Sequence, residues 1–429
     1  MYRHSAIRIA IVAICAALAV YSPSLWGFPF IVDGWLWLGV RDLTRMPTRY
    51  LPLVVAGAMV VADLVGRWCP STVIRVRRPA RWAAIMVVVA AIVLWRLRVR
   101  HWFGDLGGID RDTELPWWRI ETAEPLGAYT FYYIVHAAAA LGVKYSTALA
   151  LVTTVFGATA VAAIFLWSRT VTAEWPLLFA MFLSSGFMVI FCGYPEKGTP
   201  KAMALTCWYT YFATRELRQR RMATQAWSGL SLSLAALMHG SALCWLPAHA
   251  WYVWRTARWR HAAAGILSFA LPIGIMFAYA ASGVPRAGGT YGNTLAPMFW
   301  IKKYCVSNCS YDFWSLSHGL DILNCLLVLA PIAFLCFPEA LISARDETER
   351  WLRLGALGWL FLSVIWFPVF GYLSDWDIFA TTPLVLTYFG GLVALRRLAP
   401  ARFRQFALAW IVGSLIHAIS WWRFFQDRP

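Results

Sequence analysis

Apolar runs close to twenty residues long recur along the 429-residue chain, separated by short polar stretches. A helix needs roughly 20 such residues to cross the hydrocarbon core of a bilayer. The runs predict thirteen spanning helices, at 7–26, 50–66, 82–97, 146–167, 175–193, 200–214, 226–238, 242–254, 262–282, 320–337, 351–370, 378–395 and 404–422. Two of these, 226–238 and 242–254, are short and flank His239-Gly240. They read as a hairpin of half-spans meeting inside the membrane, because one helix across both would exceed the bilayer. Arg3 and Arg8 around the start of the first run, with no small-residue cleavage site after it, mark a retained helix. No internal repeat is visible, so the chain reads as one all-α, polytopic integral membrane domain over 1–429.

Composition narrows this further. Hydrophobic residues make up 60% of the chain and charged residues 14%, which excludes an ordinary water-soluble domain. The net charge of +17 comes mostly from Arg in short loops at 67–81, 215–221, 255–260 and 396–404. With the N-terminus inside, these four loops all fall on the inner side, as the positive-inside rule requires. The charge is thus a topology signal that meets anionic membrane lipids, and nucleic acid is not an expected partner. Many of the 26 Trp lie near run ends, where aromatic belts form. The same parity demands that 124–142 lie along the outer interface as a helix that does not cross.

Most of the 21 acidic residues then fall in outer loops, and three clusters stand out: FGDLGGIDRDTE at 103–114, GYPEK at 193–197 and SDWD at 374–377. Ionisable groups held close to apolar helices are costly and tend to mark sites. Asp105 follows Gly104, which permits a sharp turn, and its carboxylate can serve as a general base. Arg100 and Lys197 can hold a phosphate. Asp375 and Asp377 flank Trp376, a set that can grip sugar hydroxyls and stack on a ring face. His239 sits at the junction of the half-spans, where a polar side chain can line a cavity. Plainer roles compete: a turn for Asp105, a cap on the following helix for Glu196, snorkelling for Lys197. Cys305 and Cys309 share a polar loop and permit a disulfide; their spacing alone does not make a metal site.

RVRHWFGDLGGID (98–110) followed by AEPLGAYTFYYIVHAA (123–138) resembles the first periplasmic loop of the C-type glycosyltransferases, GT-C. These polytopic enzymes include protein O-mannosyltransferases and the lipid A aminoarabinose transferase. LMHGSALCWLP (237–247) is similar to their short-helix hairpin, and SDWDIFA (374–380) to a late motif of bacterial members. The resemblance covers 82–395, leaving 1–81 as two additional N-terminal helices. It implies transfer of a sugar from a polyprenyl-phosphate-linked donor to a hydroxyl of a lipid, glycan or protein acceptor, on the periplasmic face of a bacterial inner membrane. It also implies inversion at the sugar carbon. Asp105 takes the catalytic position, Glu124 opens the interfacial segment, and Glu196 matches a recurring acidic residue at a helix end. Gly104-Asp105 departs from the Asp-Glu or Asp-Asp of other branches, so no metal ligands are assigned; a divalent ion stays open through Asp110 and Asp112. A transporter or flippase for a lipid-linked or polar substrate is the rival class, for which mid-span charges and two related halves are the marks.

Overall fold

The computed structural model describes residues 77–99, 125–196, 198–255, 258–281, 344–365 and 380–424, with the isolated positions 57, 61, 326, 330 and 426. Every regular element among them is helical. In chain order these are α1 Pro79–Arg96, α2 Pro125–Ala140, α3 Tyr145–Val171, α4 Trp175–Leu183, a 3₁₀ segment Gly186–Phe191, α5 Thr199–Gln219 and α6 Met222–Met238. A second 3₁₀ segment, Gly240–Trp245, leads into α7 Leu246–Arg255; then come α8 Trp259–Ala281, α9 Glu347–Ile365, α10 Thr381–Arg397 and α11 Pro400–Phe424. Among the described residues α1, α3 and α8 are long and apolar enough to cross a membrane by themselves. The chain is a multi-pass α-helical membrane protein.

One end of the bundle is an ionic face. Glu347 at the start of α9 accepts from Arg220 at 2.8 Å and from Arg255 at 3.0 Å, joining the α5–α6 turn to the end of α7. Buried Glu349 pairs with Arg397 at 2.6 Å, and Asp346 with Arg396, tying α9 to the end of α10. Glu174, between α3 and α4, meets Arg404 of α11 at 3.1 Å. Glu216 accepts from Thr224 at 2.7 Å and faces His261 of α8 at 3.1 Å. Asp346 also caps α9, its carboxylate accepting the Glu349 amide at 2.8 Å, the first half of a capping box.

Basic loops predicted as neighbours on one side therefore converge, and acidic residues predicted for that side pair with them. The boundaries move: 215–219 is helix, not loop, because Arg, Glu, Leu and Gln are good helix formers that extend α5 past its apolar stretch. The predicted span 175–193 is broken after Leu183. Ser184 and Ser185 turn their hydroxyls back onto the Met181 carbonyl, at 3.1 and 2.9 Å, and the chain continues as a 3₁₀ segment. The predicted half-spans become a fuller hairpin. Arg221 before α6 and Arg255 at the end of α7 both belong to the ionic face, so both legs run from that face to the turn at His239.

The opposite face is fixed by contacts among the other helix ends. Val99 donates to the Cys192 carbonyl at 2.7 Å, Trp422 Nε1 to Leu97 at 2.6 Å and Gln426 to Arg98 at 2.8 Å. Gly193, with φ at +70°, lies against Arg98 and Ala150; only glycine adopts that conformation without strain. Val99 and Tyr145 thus lie at this same face, so α2, whose partners are also there, makes no net crossing. Its partners are the last turns of α6 and α8: Tyr129 clusters with Leu237 and Met276 and meets the Tyr279 ring edge-on at 5.3 Å.

Close approaches of small residues set the interior. A Cβ on Gly229 of α6 would fall 2.2 Å from Ser268 Oγ and 2.5 Å from the Gly265 carbonyl of α8. Helices in lipid gain little from apolar burial against one another and associate through such backbone proximity. Trp245 of the second 3₁₀ segment stacks on Trp351 of α9 at 5.1 Å. Tyr209 of α5 completes the group, accepting from the Trp351 indole at 3.3 Å.

Candidate active site

The segments that carry the three acidic clusters all depart from the face opposite the ionic network. Residues 100–124 run from Val99 to the start of α2, both at that face. GYPEK joins the Gly186–Phe191 segment to α5. Residues 366–379 join the end of α9 to the start of α10, where Ser363 and Thr382 meet at 2.8 Å, a full helix length from the Glu349–Arg397 pair. Asp105, Arg100, Glu124, Lys197, Asp375 and Asp377 lie outside the described residues, as do Cys305 and Cys309. Glu196 and His239 are described, and both are at this face.

The N-cap position of α5 is Gly198, which has no side chain to offer the first-turn amides. The Glu196 backbone carbonyl accepts from Lys201 Nζ at 2.8 Å. Lys201 is fully buried, one turn inside α5, and Thr199 before it is 1% exposed. His239 is buried at the turn between α6 and the 3₁₀ segment. Its Nδ1 accepts the Ser241 amide at 3.2 Å and lies 2.5 Å from the Ser241 hydroxyl. An accepting Nδ1 places the proton of the neutral imidazole on Nε2.

Helix register brings these groups to one level. Leu205 of α5 packs against Ala235 and Ala236 of α6 and Ala242 beyond the turn. The two helices are antiparallel, so one turn further on Lys201 of α5 comes level with His239. Lys201, the His239–Ser241 pair and the start of α5 thus lie near the same end of the bundle as the described residues that flank the acidic segments. Sequence reasoning missed Lys201, Thr199 and Ser241. The available signal was a lysine inside the apolar run 200–214. Among the described residues no group of three or more His, Cys, Asp or Glu is placed to hold a metal. The carboxylates that could do so, Asp105, Asp110 and Asp112, are outside them.

No family model matches the sequence, and no curated protein matches it closely. Solved structures do show a likeness. ArnT from Cupriavidus metallidurans bound to undecaprenyl phosphate is 12% identical, with a TM-score of 0.48 over 80% of this chain and 77% of that one. The apo oligosaccharyltransferase of Archaeoglobus fulgidus is 11% identical, with a TM-score of 0.44 over 80% of this chain and 56% of its own length. Both are GT-C proteins. Likeness of this degree is one of helix arrangement and transfers neither a residue role nor an activity.

Proposed function

We propose that the protein is a membrane glycosyltransferase that moves a sugar from a polyprenyl-phosphate-linked donor to an acceptor hydroxyl. The observation that carries this reading is the common departure face of the three acidic segments, opposite the arginine-rich end. By the positive-inside rule the arginines face the cytoplasm, so the acidic segments face outward, where a lipid-borne head group is met.

In this reading Asp105 accepts the proton of the acceptor hydroxyl as its oxygen attacks the anomeric carbon. The bond from that carbon to the phosphate oxygen breaks, and the electron pair leaves with the polyprenyl phosphate. A single displacement inverts the sugar carbon. Arg100 and Lys197 steady the charge that gathers on the leaving phosphate. Asp375, Asp377, Glu196 and Glu124 accept hydrogen bonds from sugar or acceptor hydroxyls, and His239 donates through Nε2.

Turnover distinguishes a transferase from a transporter. Proteoliposomes containing the protein and a bacterial membrane lipid extract should convert polyprenyl-phosphate sugars to polyprenyl phosphate, followed by mass spectrometry. Redistribution of the lipid between leaflets with no covalent change would assign the protein to the rival class. Sidedness is tested separately in a cysteine-free background. A membrane-impermeant maleimide should label Lys144→Cys in spheroplasts, but Arg221→Cys only after permeabilisation; the reverse pattern would place the acidic segments in the cytoplasm.

A further inference from the structure

We propose that the first turn of α5, with Lys201 and Thr199, is the seat for the phosphoryl group of the donor lipid. The inference rests on the proposed transferase reading and names a residue pair for one part of it. Lys201 has no exposed surface, although a lysine side chain ordinarily keeps its ammonium in water. Its bond to the Glu196 carbonyl folds it back toward the mouth of its own helix. There α5, a helix of 21 residues, begins after Gly198, an N-cap residue with no side chain to offer the first-turn amides. Helix N-termini of this kind favour anions through both the amides and the aligned peptide dipoles.

The second observation is independent of the dipole. The Thr199 hydroxyl is buried and has no hydrogen-bond partner among the described residues. A buried hydroxyl without a partner costs stability unless something completes it, and a phosphoryl oxygen would. A lysine is suited to this task as a point charge, needing no planar fork. In a medium of low dielectric its attraction for the donor's anionic phosphodiester, and still more for the phosphate monoester released, is much stronger than at a solvated surface. The level of His239 and Ser241 sets the same height for the sugar-bearing side of the phosphate. Lys201 is thus a binding and positioning residue below the reacting carbon, acting together with Arg100 and Lys197.

The test measures binding to the purified full-length protein in detergent by isothermal titration calorimetry. Farnesyl phosphate, farnesol and inorganic phosphate are the probes. Wild type should bind farnesyl phosphate and lose most of that affinity for farnesol. Lys201→Gln should weaken farnesyl phosphate about 10- to 100-fold and leave farnesol unchanged. Lys201→Arg should recover part of the loss. Thr199→Val, which keeps the side-chain shape, should weaken it about three- to tenfold. Inorganic phosphate binding as tightly as farnesyl phosphate would support the anion seat while assigning it to free phosphate. Unchanged farnesyl phosphate affinity in both Lys201→Gln and Thr199→Val would overturn the proposal. That result beside full polyprenyl-phosphate turnover by wild type would leave the transferase reading standing, whereas absent turnover with the expected affinity losses would remove the reading and keep the seat.

Discussion

Asp105→Asn is expected to lower sugar transfer by about 10²- to 10⁴-fold, the usual contribution of a positioned general base. Asn keeps the shape of Asp and its capacity to accept hydrogen bonds, but it cannot take the acceptor's proton at neutral pH. The loss should therefore appear in kcat, with the KM for the lipid donor nearly unchanged, as when an interaction made only in the transition state is removed. A turn-forming Asp predicts something else: a lower yield of folded protein with normal kcat per folded molecule. Comparing kcat with the thermal unfolding midpoint in detergent separates the two. Wild-type kcat in a folded Asp105→Asn protein would remove Asp105 from the chemistry.

Gly358→Val should be the most damaging of the packing changes. A Cβ at Gly358 of α9 would lie 2.2 Å from the Cys244 carbonyl oxygen, a backbone atom that cannot rotate away. One turn earlier, a Cβ at Gly355 would meet the Trp245 ring at 2.1 Å. The second 3₁₀ segment therefore rests on a flat strip of α9, and it carries the His239–Ser241 turn. Overpacking there should cost at least about 3 kcal/mol and displace that turn. A neighbouring change at Leu357, which is 38% exposed, should matter little, within about 0.5 kcal/mol for Leu357→Val. Equal unfolding midpoints for Gly358→Val and wild type would show that the segment packs elsewhere.

Much of the architecture was legible because hydrophobic length and arginine placement are strong signals in a bilayer. Placing all four Arg-rich loops on one side requires 124–142 to stay on the other, and α2 does begin and end there. Hydropathy could not see the break at Ser184-Ser185, since it depends on hydroxyls bonding backward within an otherwise apolar run. Nor could it see that Glu347 holds Arg220, 127 positions away; sidedness confines such partners to one face without pairing them. Of the site, only the flanks can be compared: the anchor points of the acidic segments share a face, whereas Asp105, Arg100, Glu124, Lys197, Asp375 and Asp377 lie outside the described residues. Lys201 escaped notice because a charged residue inside an apolar run reads as tolerated noise until its burial is known. At Glu196 the sequence drew attention to the carboxylate, and the structure adds a role for its backbone carbonyl, which accepts from Lys201.

The most direct measurement is mass spectrometry of the lipids that co-purify with Asp105→Asn protein. A transferase stalled before proton removal should retain its donor, so the spectrum should show a polyprenyl phosphate bearing a sugar, enriched over wild type. A spectrum with ordinary phospholipids alone, from folded protein, would contradict a polyprenyl-phosphate-dependent transferase.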